Sequence, residues 1–462
     1  MGNSQSRHEL EGVNRREQKG GVFWPILTLV LAVLLVWALF FKPGKEELTI
    51  VPEEPERFYA AERPAEEEPV PAPVVADPVV PLVTRVTKEA DLQKLSKDID
   101  LKIDFQAEEG GVASVERKKR GSYQANYTLN LILPKAAQTR EEVSQANSKL
   151  MEILPGLEGM LESAKISPWY DQLYENKVTR MRKNLSRLDS LLTRHNFYDC
   201  QTMLNLTHAE SGQRVFLLQA EMDVVSDGSD GDRLAEMPDE IVNSTHYQPF
   251  TSYSWPKLTD VPNPMVAGWR KRIGNADEEL TAAGTTEARK QWLRERKNYL
   301  QRGIEDMERR SFLVADYDPF IVIPVNVITD REDAFAPNVG DYAAVIYGEK
   351  IYPAIVGDGG PTFKIGEASL RLAKEINSRA SPYSRPVSDL TVTYVVFPRT
   401  GETPWRVPDY GFWKSRCSEL LDSIGGLGEG YELHEWTDLF PKEESVEGRD
   451  RSPSGPADGG PE

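Results

Sequence analysis

Residues 340–376 read GDYAAVIYGEKIYPAIVGDGGPTFKIGEASLRLAKEI, and the succession of periods in this stretch decides the fold. Two apolar runs, YAAVIYG (342–348) and KIYPAIVG (350–357), are separated only by Gly348-Glu349-Lys350, so they are expected to pair as a tight hairpin. The second run passes into Gly357-Asp358-Gly359-Gly360-Pro361, a glycine-rich bend with little side-chain bulk around its carboxylate. Ile365-Gly366-Glu367-Ala368-Ser369 then opens an amphipathic helix with Ala368, Leu372 and Ile376 on one face, which puts Glu367 in a first helical turn. Two carboxylates, one leaving a strand and one entering a helix, can converge on a single cleft. Glycoside hydrolysis needs such a pair, one to protonate the leaving oxygen and one to act at the anomeric carbon. The same residues have plainer uses: an aspartate in a glycine turn can serve the turn, and a first-turn glutamate can serve the helix dipole.

Outward from this stretch the chain reads as one mixed α/β (α+β) region. Residues 122–134 alternate like a strand, and residues 137–163 read as helical from Thr139, with Glu142 completing a capping-box pattern. A second helix begins at Ser167-Pro168, serine as N-cap and proline at the first helical position. It carries Trp169, Leu173, Met181, Leu185, Leu188 and Leu192 at helical spacing, a packing stripe. Strand patterns follow at 200–208, 214–225, 312–316, 320–328 and 390–397, interrupted by a charged helical stretch from Thr286 to Arg310. Short strands at this spacing imply a small β-barrel-like or sheet core, with the double-psi barrel among the options. A helical hairpin (about 137–195) and a helical insertion (about 262–310) are added to it.

The ends are of another kind. Residues 1–21 are read as a cytoplasmic N-terminus. Val22 to Phe41, VFWPILTLVLAVLLVWALFF, carries no charge over a length that spans a bilayer core, so residues 22–41 are expected to form a transmembrane helix. Trp24 and Trp37 suit its interfaces, and Arg15, Arg16 and Lys19 bias its N-terminal side toward the cytoplasm. Residues 42–86 form a Pro/Glu-rich tether, residues 87–440 the folded domain, and residues 441–462 a polar tail expected to be disordered. This organisation implies a single-pass membrane protein with its folded domain on the periplasmic or extracellular side.

The net charge of −18 excludes nucleic acid as a natural partner and favours a cationic one, a glucosamine polymer for instance. Only Cys200 and Cys417 occur, too few for a zinc constellation, and both a disulfide and two buried thiols stay open. No cofactor and no metal are expected. The five histidines lack ligand spacing, and no glutamate stands twelfth from Asp223 or Asp227 to complete a calcium loop. The glycines at 425, 426 and 428 follow a helix, which makes a poor phosphate loop.

The stretch at 340–376 resembles the core of the fungal-type chitosanases of glycoside hydrolase family 75. In that family a Gly-Asp ends a strand and Ile-Gly-Glu-Ala-Ser follows. Gln219-Ala220-Glu221-Met222-Asp223-Val224-Val225-Ser226-Asp227-Gly228 is similar to its Met-Asp-x-x-x-Asp-Gly block, and Val339-Gly340-Asp341-Tyr342 also fits. The resemblance covers roughly residues 195–260 and 312–398. It implies that Asp358 and Glu367 are the catalytic carboxylates of an inverting, endo-acting hydrolase of chitosan or a related amino-sugar polysaccharide. Asp223 is expected in the cleft, where it would hold a glucosamine ammonium group, with Asp227, Asp341 and Tyr342 as further substrate-binding candidates. A helix N-terminus at Glu367 would favour that residue as base and burial would favour the reverse, so the acid and base roles of the two carboxylates stay open. The chain departs from the family at Ser226, where secreted members often have cysteine, and in its anchor, helical hairpin and insertion. Two other readings therefore stand beside chitosan cleavage: hydrolysis of an envelope glycan of the peptidoglycan type, and glycan binding without catalysis.

Overall fold

The computed structural model describes residues 84–88, 103–107, 110–122, 131–184 and 197–441. All of these lie in one unit, Pro81–Glu462. The expected transmembrane segment 22–41, almost all of the tether and the tail beyond 441 fall outside the described residues, as do Leu185, Leu188 and Leu192 of the helical stripe. No helix among the described residues is long and apolar enough to cross a membrane.

Among the described residues, twelve strands occur in chain order. β1 (Thr84–Lys88) begins within the last residues of the stretch read as tether and pairs antiparallel with β2 (Ile103–Ala107). The main sheet comprises β3 (Lys165–Ile166), β4 (Cys200–Thr207), β5 (Arg214–Val225), β8 (Phe320–Pro324), β9 (Tyr342–Tyr347), β10 (Lys350–Gly360), β11 (Glu367–Ser369) and β12 (Val387–Val396). The expected hairpin is β9 and β10, antiparallel, with Tyr347 opposite Lys350. β12 lies beside β9, β5 beside β12, and β8 runs parallel to β10. The short β11 joins β8 on one side and β5 on the other. Six strands thus close in the order β5–β12–β9–β10–β8–β11, a closed barrel that leaves no free edge among them.

β5 makes the closure possible. Up to Ala220 it ladders with β4 on one side and β12 on the other. From Asp223 to Val225 it has left β4 and takes β11 as a parallel partner. β4 and β3 extend the sheet beyond the barrel.

Both faces of the strands are buried. Phe320, Val322, Ala344, Ile346 and Ile355 pack in one apolar cluster, while Ile321, Ile323, Ala343, Val345 and Val356 pack in another. Two buried faces explain why the sequence shows near-continuous apolar runs instead of alternation. Cys200 and Cys417 are free, buried thiols, one in each cluster.

Several expectations change in register. Thr139 is an N-cap with its capping box to Glu142, but the helix stops at Ser144; short helices resume at Leu150–Ile153 and Leu157–Leu161, the latter after Pro155 and Gly156. Proline and glycine break the periodic run at that point. Residues 131–134 form no strand, and positions 123–130 lie outside the described residues. The apolar run 320–328 stops being strand at Pro324 and becomes a helical turn, Val325–Ile328. The run at 312–316 contributes only the end of β7 (Arg310–Phe312), paired with β6 (Ser254–Pro256). The insertion is a helix pair, Met265–Thr281 and Glu287–Arg309, the second capped by Thr286, around Trp269, Leu300, Ile304 and Met307.

Candidate active site

Two expected conformations around the carboxylates are corrected. Asp358 is not on a bend: β10 continues through it to Gly360, with a register shift between Val356 and Asp358 that re-aims the side chain. Glu367 is not in a helix: it begins β11, and the helix starts at Leu370 with Ser369 as its N-cap, the hydroxyl accepting from the Leu372 N–H. The helix-dipole argument for Glu367 therefore does not apply.

These corrections bring the two acids onto one rung. Asp358 of β10 and Glu367 of β11 are both registered against Val322 of β8, one on each side, and Glu367 is in turn registered against Asp223 of β5. Residues on one rung share a face. Two strand spacings put the Asp358 and Glu367 backbones about 9.5 Å apart. Glycine provides the room: a Cβ on Gly360 would stand 2.9 Å from Glu367 Oε2, and one on Gly357 would stand 2.6 Å from the Phe320 ring.

The two carboxyls are held differently. Asp358 Oδ1 accepts from the Ser252 N–H (2.9 Å), the Ser252 hydroxyl (2.6 Å) and the Gly359 N–H (2.8 Å). Oδ2 is given no donor by the described residues, so one oxygen is anchored and the other is open. Burial pushes the Asp358 carboxyl above its ordinary range; the Ser252 and Gly359 bonds pull it back, and the nearby Glu367 raises it further. Glu367 Oε1 is ion-paired with Lys364 at 2.7 Å, and the same ammonium reaches Asp223 Oδ2 at 2.8 Å. Burial works against the charge on Lys364, but Glu367 and Asp223 outweigh it and raise its pKa.

Around this pair stand further charges. Arg385 Nε meets Glu221 Oε1 at 2.9 Å, and its Nη2 lies 3.6 Å from Asp223. Burial opposes ionisation of Asp223, yet Lys364 and Arg385 hold its carboxyl below the usual value. Glu221 is more deeply buried and is pushed up to about 8. Asp227, just past the end of β5, is pushed up to about 7 by burial, with Asp358 and Glu367 as its charged neighbours; the one side-chain bond it receives from the described residues, from the Gln248 N–H, is long at 3.4 Å.

Asp223, Asp227, Asp358 and Glu367 are thus gathered in one place, and Asp341 and Tyr342 are not. Asp341 is sealed, 1% exposed, and both its oxygens are used: Oδ2 accepts from the Asn338 and Arg399 N–H groups, Oδ1 from those of Thr400 and Gly401. It ties two loops together and has no capacity left for a ligand. Tyr342 is registered with Ile355, three residues before Asp358, and lines a separate cavity of about 290 Å³ with Tyr253, Phe412 and Trp413. Asp230 and Asp232 are taken up by Arg233 and by the Leu258, Thr259 and Ser311 donors. No cluster of metal-ligating side chains occurs among the described residues.

Sequence reasoning missed Ser252, Lys364 and Arg385. Lys364 lies three residues before Glu367, inside the stretch that decided the fold, and its charge between two acids was the available signal. Ser252 and Arg385 come from distant loops and carry no local mark.

An aspartate with one oxygen free of donors from the described residues, on a rung with an ion-paired glutamate and beside further carboxyls, has the groups for acid–base cleavage of a glycosidic bond. A search of curated proteins returns no match. Residues 222–430, which contain every one of these carboxyls except Glu221, match the family model described as the fungal chitosanase of glycosyl hydrolase group 75, and the domain that carries these carboxyls is a glycoside hydrolase of chitosanase-like type.

Proposed function

We propose that the protein is an endo-acting, inverting hydrolase of β-1,4-linked glucosamine polymers, with Asp358 as general acid and Glu367 as general base. One observation carries this reading: Asp358 and Glu367 flank Val322 on a single rung, and Asp358 keeps an oxygen clear of donors from the described residues. Carboxyls of inverting enzymes stand about 6.5–9.5 Å apart, with room for a water between, and a two-strand offset is compatible with that gap. Burial keeps Asp358 protonated to higher pH, as an acid must be, and leaves Oδ2 to deliver the proton to the leaving oxygen. Glu367, paired with Lys364, takes a proton from the attacking water. Asp223 and Asp227 receive substrate ammonium groups, in keeping with the chain's charge of −18.

The uncharged segment 22–41 anchors the chain in a membrane, N-terminus in the cytoplasm, and the tether holds the hydrolase domain on the outer side.

The test uses the full chain in detergent with soluble chitosan. New reducing ends should appear in the parent and be lost in both Asp358→Asn and Glu367→Gln, and the first product seen by NMR should have inverted anomeric configuration. Undiminished turnover in either folded variant would end the assignment. Release of fragments from peptidoglycan sacculi, with chitosan left intact, would keep the chemistry and change the polymer.

A further inference from the structure

Residues 361–366, which join β10 to β11 and carry Lys364 up to Glu367, have no regular secondary structure. Their backbone groups find partners elsewhere, largely on one helix, Pro168–Asn184. Asn176 Nδ2 donates to the Thr362 carbonyl at 3.0 Å, and Lys177 Nζ donates to the Phe363 carbonyl at 2.6 Å. Arg180 lies over the Phe363 ring, 3.8 Å from its centroid. Lys177 also pairs with Asp199 Oδ2 at 2.8 Å, and that same oxygen accepts from the Ile365 N–H at 3.3 Å. Further along, Gly366 (φ +82°) packs where a Cβ would stand 2.3 Å from the Glu221 carbonyl, and its own carbonyl accepts from the Asp223 N–H.

Lys177 and Asp199 are 0% and 1% exposed. A fully buried ion pair is a poor source of stability, because desolvation consumes most of the Coulomb gain and an apolar replacement of both partners is often neutral or better. What this pair does supply is geometry: an ammonium and a carboxylate between them grip a carbonyl and an N–H of the loop two residues apart, on either side of Lys364. Neither residue lies in the stretch 222–430 that matches the hydrolase family.

We propose that helix Pro168–Asn184 is a positioning element of the active site, and that the buried Lys177–Asp199 pair fixes the loop that sets Lys364 and Glu367 in the cleft. The proposal rests on Glu367 acting in catalysis. Lys177 and Asp199 touch no substrate; they act through the loop. Small misplacements of a reacting group are costly to rate, so loosening the loop should cost turnover far more than binding.

The deciding variant is the double substitution Lys177→Met/Asp199→Leu, which removes both charges and leaves no buried ion unpaired. In the full chain we expect a thermal midpoint close to the parent's, a KM for chitosan within about twofold, and kcat lower by about 10–100-fold. The pH–rate profile should change shape, since Lys364 is no longer held against Glu367; a purely structural pair would leave that profile alone. A folded double variant with parental kcat and pH profile overturns the proposal. Should the double variant not fold, Asn176→Ala decides: it removes only the bond to Thr362, and a several-fold fall in kcat at unchanged stability supports the clamp, whereas parental kcat overturns it. Glu367→Gln runs alongside: if it stays active, the hydrolase assignment has failed; if it is dead while the double variant is normal, the clamp alone has failed.

Discussion

The chain contains the dipeptide Gly-Asp at 340–341 and again at 357–358, beside the two hairpin strands β9 and β10, and the two aspartates have opposite fates. Asp341 stands at the entrance to β9, where loops from 338 and 399–401 converge, and four backbone N–H groups saturate both its oxygens. Asp358 stands within β10 after a register shift, and its three donors all fall on one oxygen. Burial raises the pKa of both. The difference is therefore one of vacancy, since only the aspartate with an unclaimed oxygen can exchange a proton with a ligand. A carboxylate's donors decide its role more than its burial does.

That contrast can be broken by substitution. The largest expected effect is Asp358→Asn, which keeps an acceptor for Ser252 and Gly359 but cannot give up a proton. Chitosan turnover should fall by about 10²–10⁴-fold with the thermal midpoint hardly moved. Asp341→Asn should do the reverse. An amide presents an NH₂ to two of the four N–H donors, and we expect a loss of about 3 kcal/mol or more in denaturant unfolding, with kcat of the folded fraction unchanged. Parental stability in that variant would show that the saturation of Asp341 is not structural.

Ser252→Ala sharpens the comparison by thinning the donors on Asp358. The hydroxyl bond lowers the Asp358 pKa, so its removal should raise that pKa. If Asp358 is the acid, activity is lost as pH rises through its pKa, and the alkaline limb should move to higher pH while kcat/KM falls about 3–10-fold. A limb that moves the other way would transfer the acid role to another carboxyl. The smallest effect is expected at Asp227, the neighbour with a single long anchoring bond. Its folded pKa of about 7 lies above the ordinary 3.8. The folded state thus binds the proton more tightly, and stability is lost as pH rises across that window. Asp227→Asn should match the parent near pH 4 and exceed it at pH 8 by about 2–4 °C in midpoint, corresponding to about 1 kcal/mol after discounting for solvent access. Equal midpoints at both pH values would remove the perturbed carboxyl.

Much of the fold was legible because it is local. The β9–β10 hairpin, the capping box at Thr139, the proline at the first position of helix 168–184 and the start of the charged helix beside Thr286 each depend on residues within a few positions of one another, whereas the Ser167 hydroxyl expected to cap helix 168–184 is buried with no partner among the described residues. Glu367 was misread because GEASLRLAKEI satisfies a helical period from its first residue. The helix begins three residues later, at Leu370, because Glu367–Ser369 is needed to bridge β8 and β5. Closing the barrel there overrode local preference.

From sequence alone the chain's acidity, the β9–β10 hairpin and the two acids nine residues apart could be read, because charge, period and spacing are properties of the chain itself. Spacing alone did not show that those acids meet; the family resemblance grouped them with Asp223, and only the structure gave their register. The rung through Asp358, Val322, Glu367 and Asp223 joins β10 and β11, neighbours in sequence, with β8 and the much earlier β5, and Ser252 arrives from 106 residues away to claim one oxygen of Asp358. A carboxyl becomes reactive through the donors it is denied as well as those it receives, and only the closed barrel assigns them.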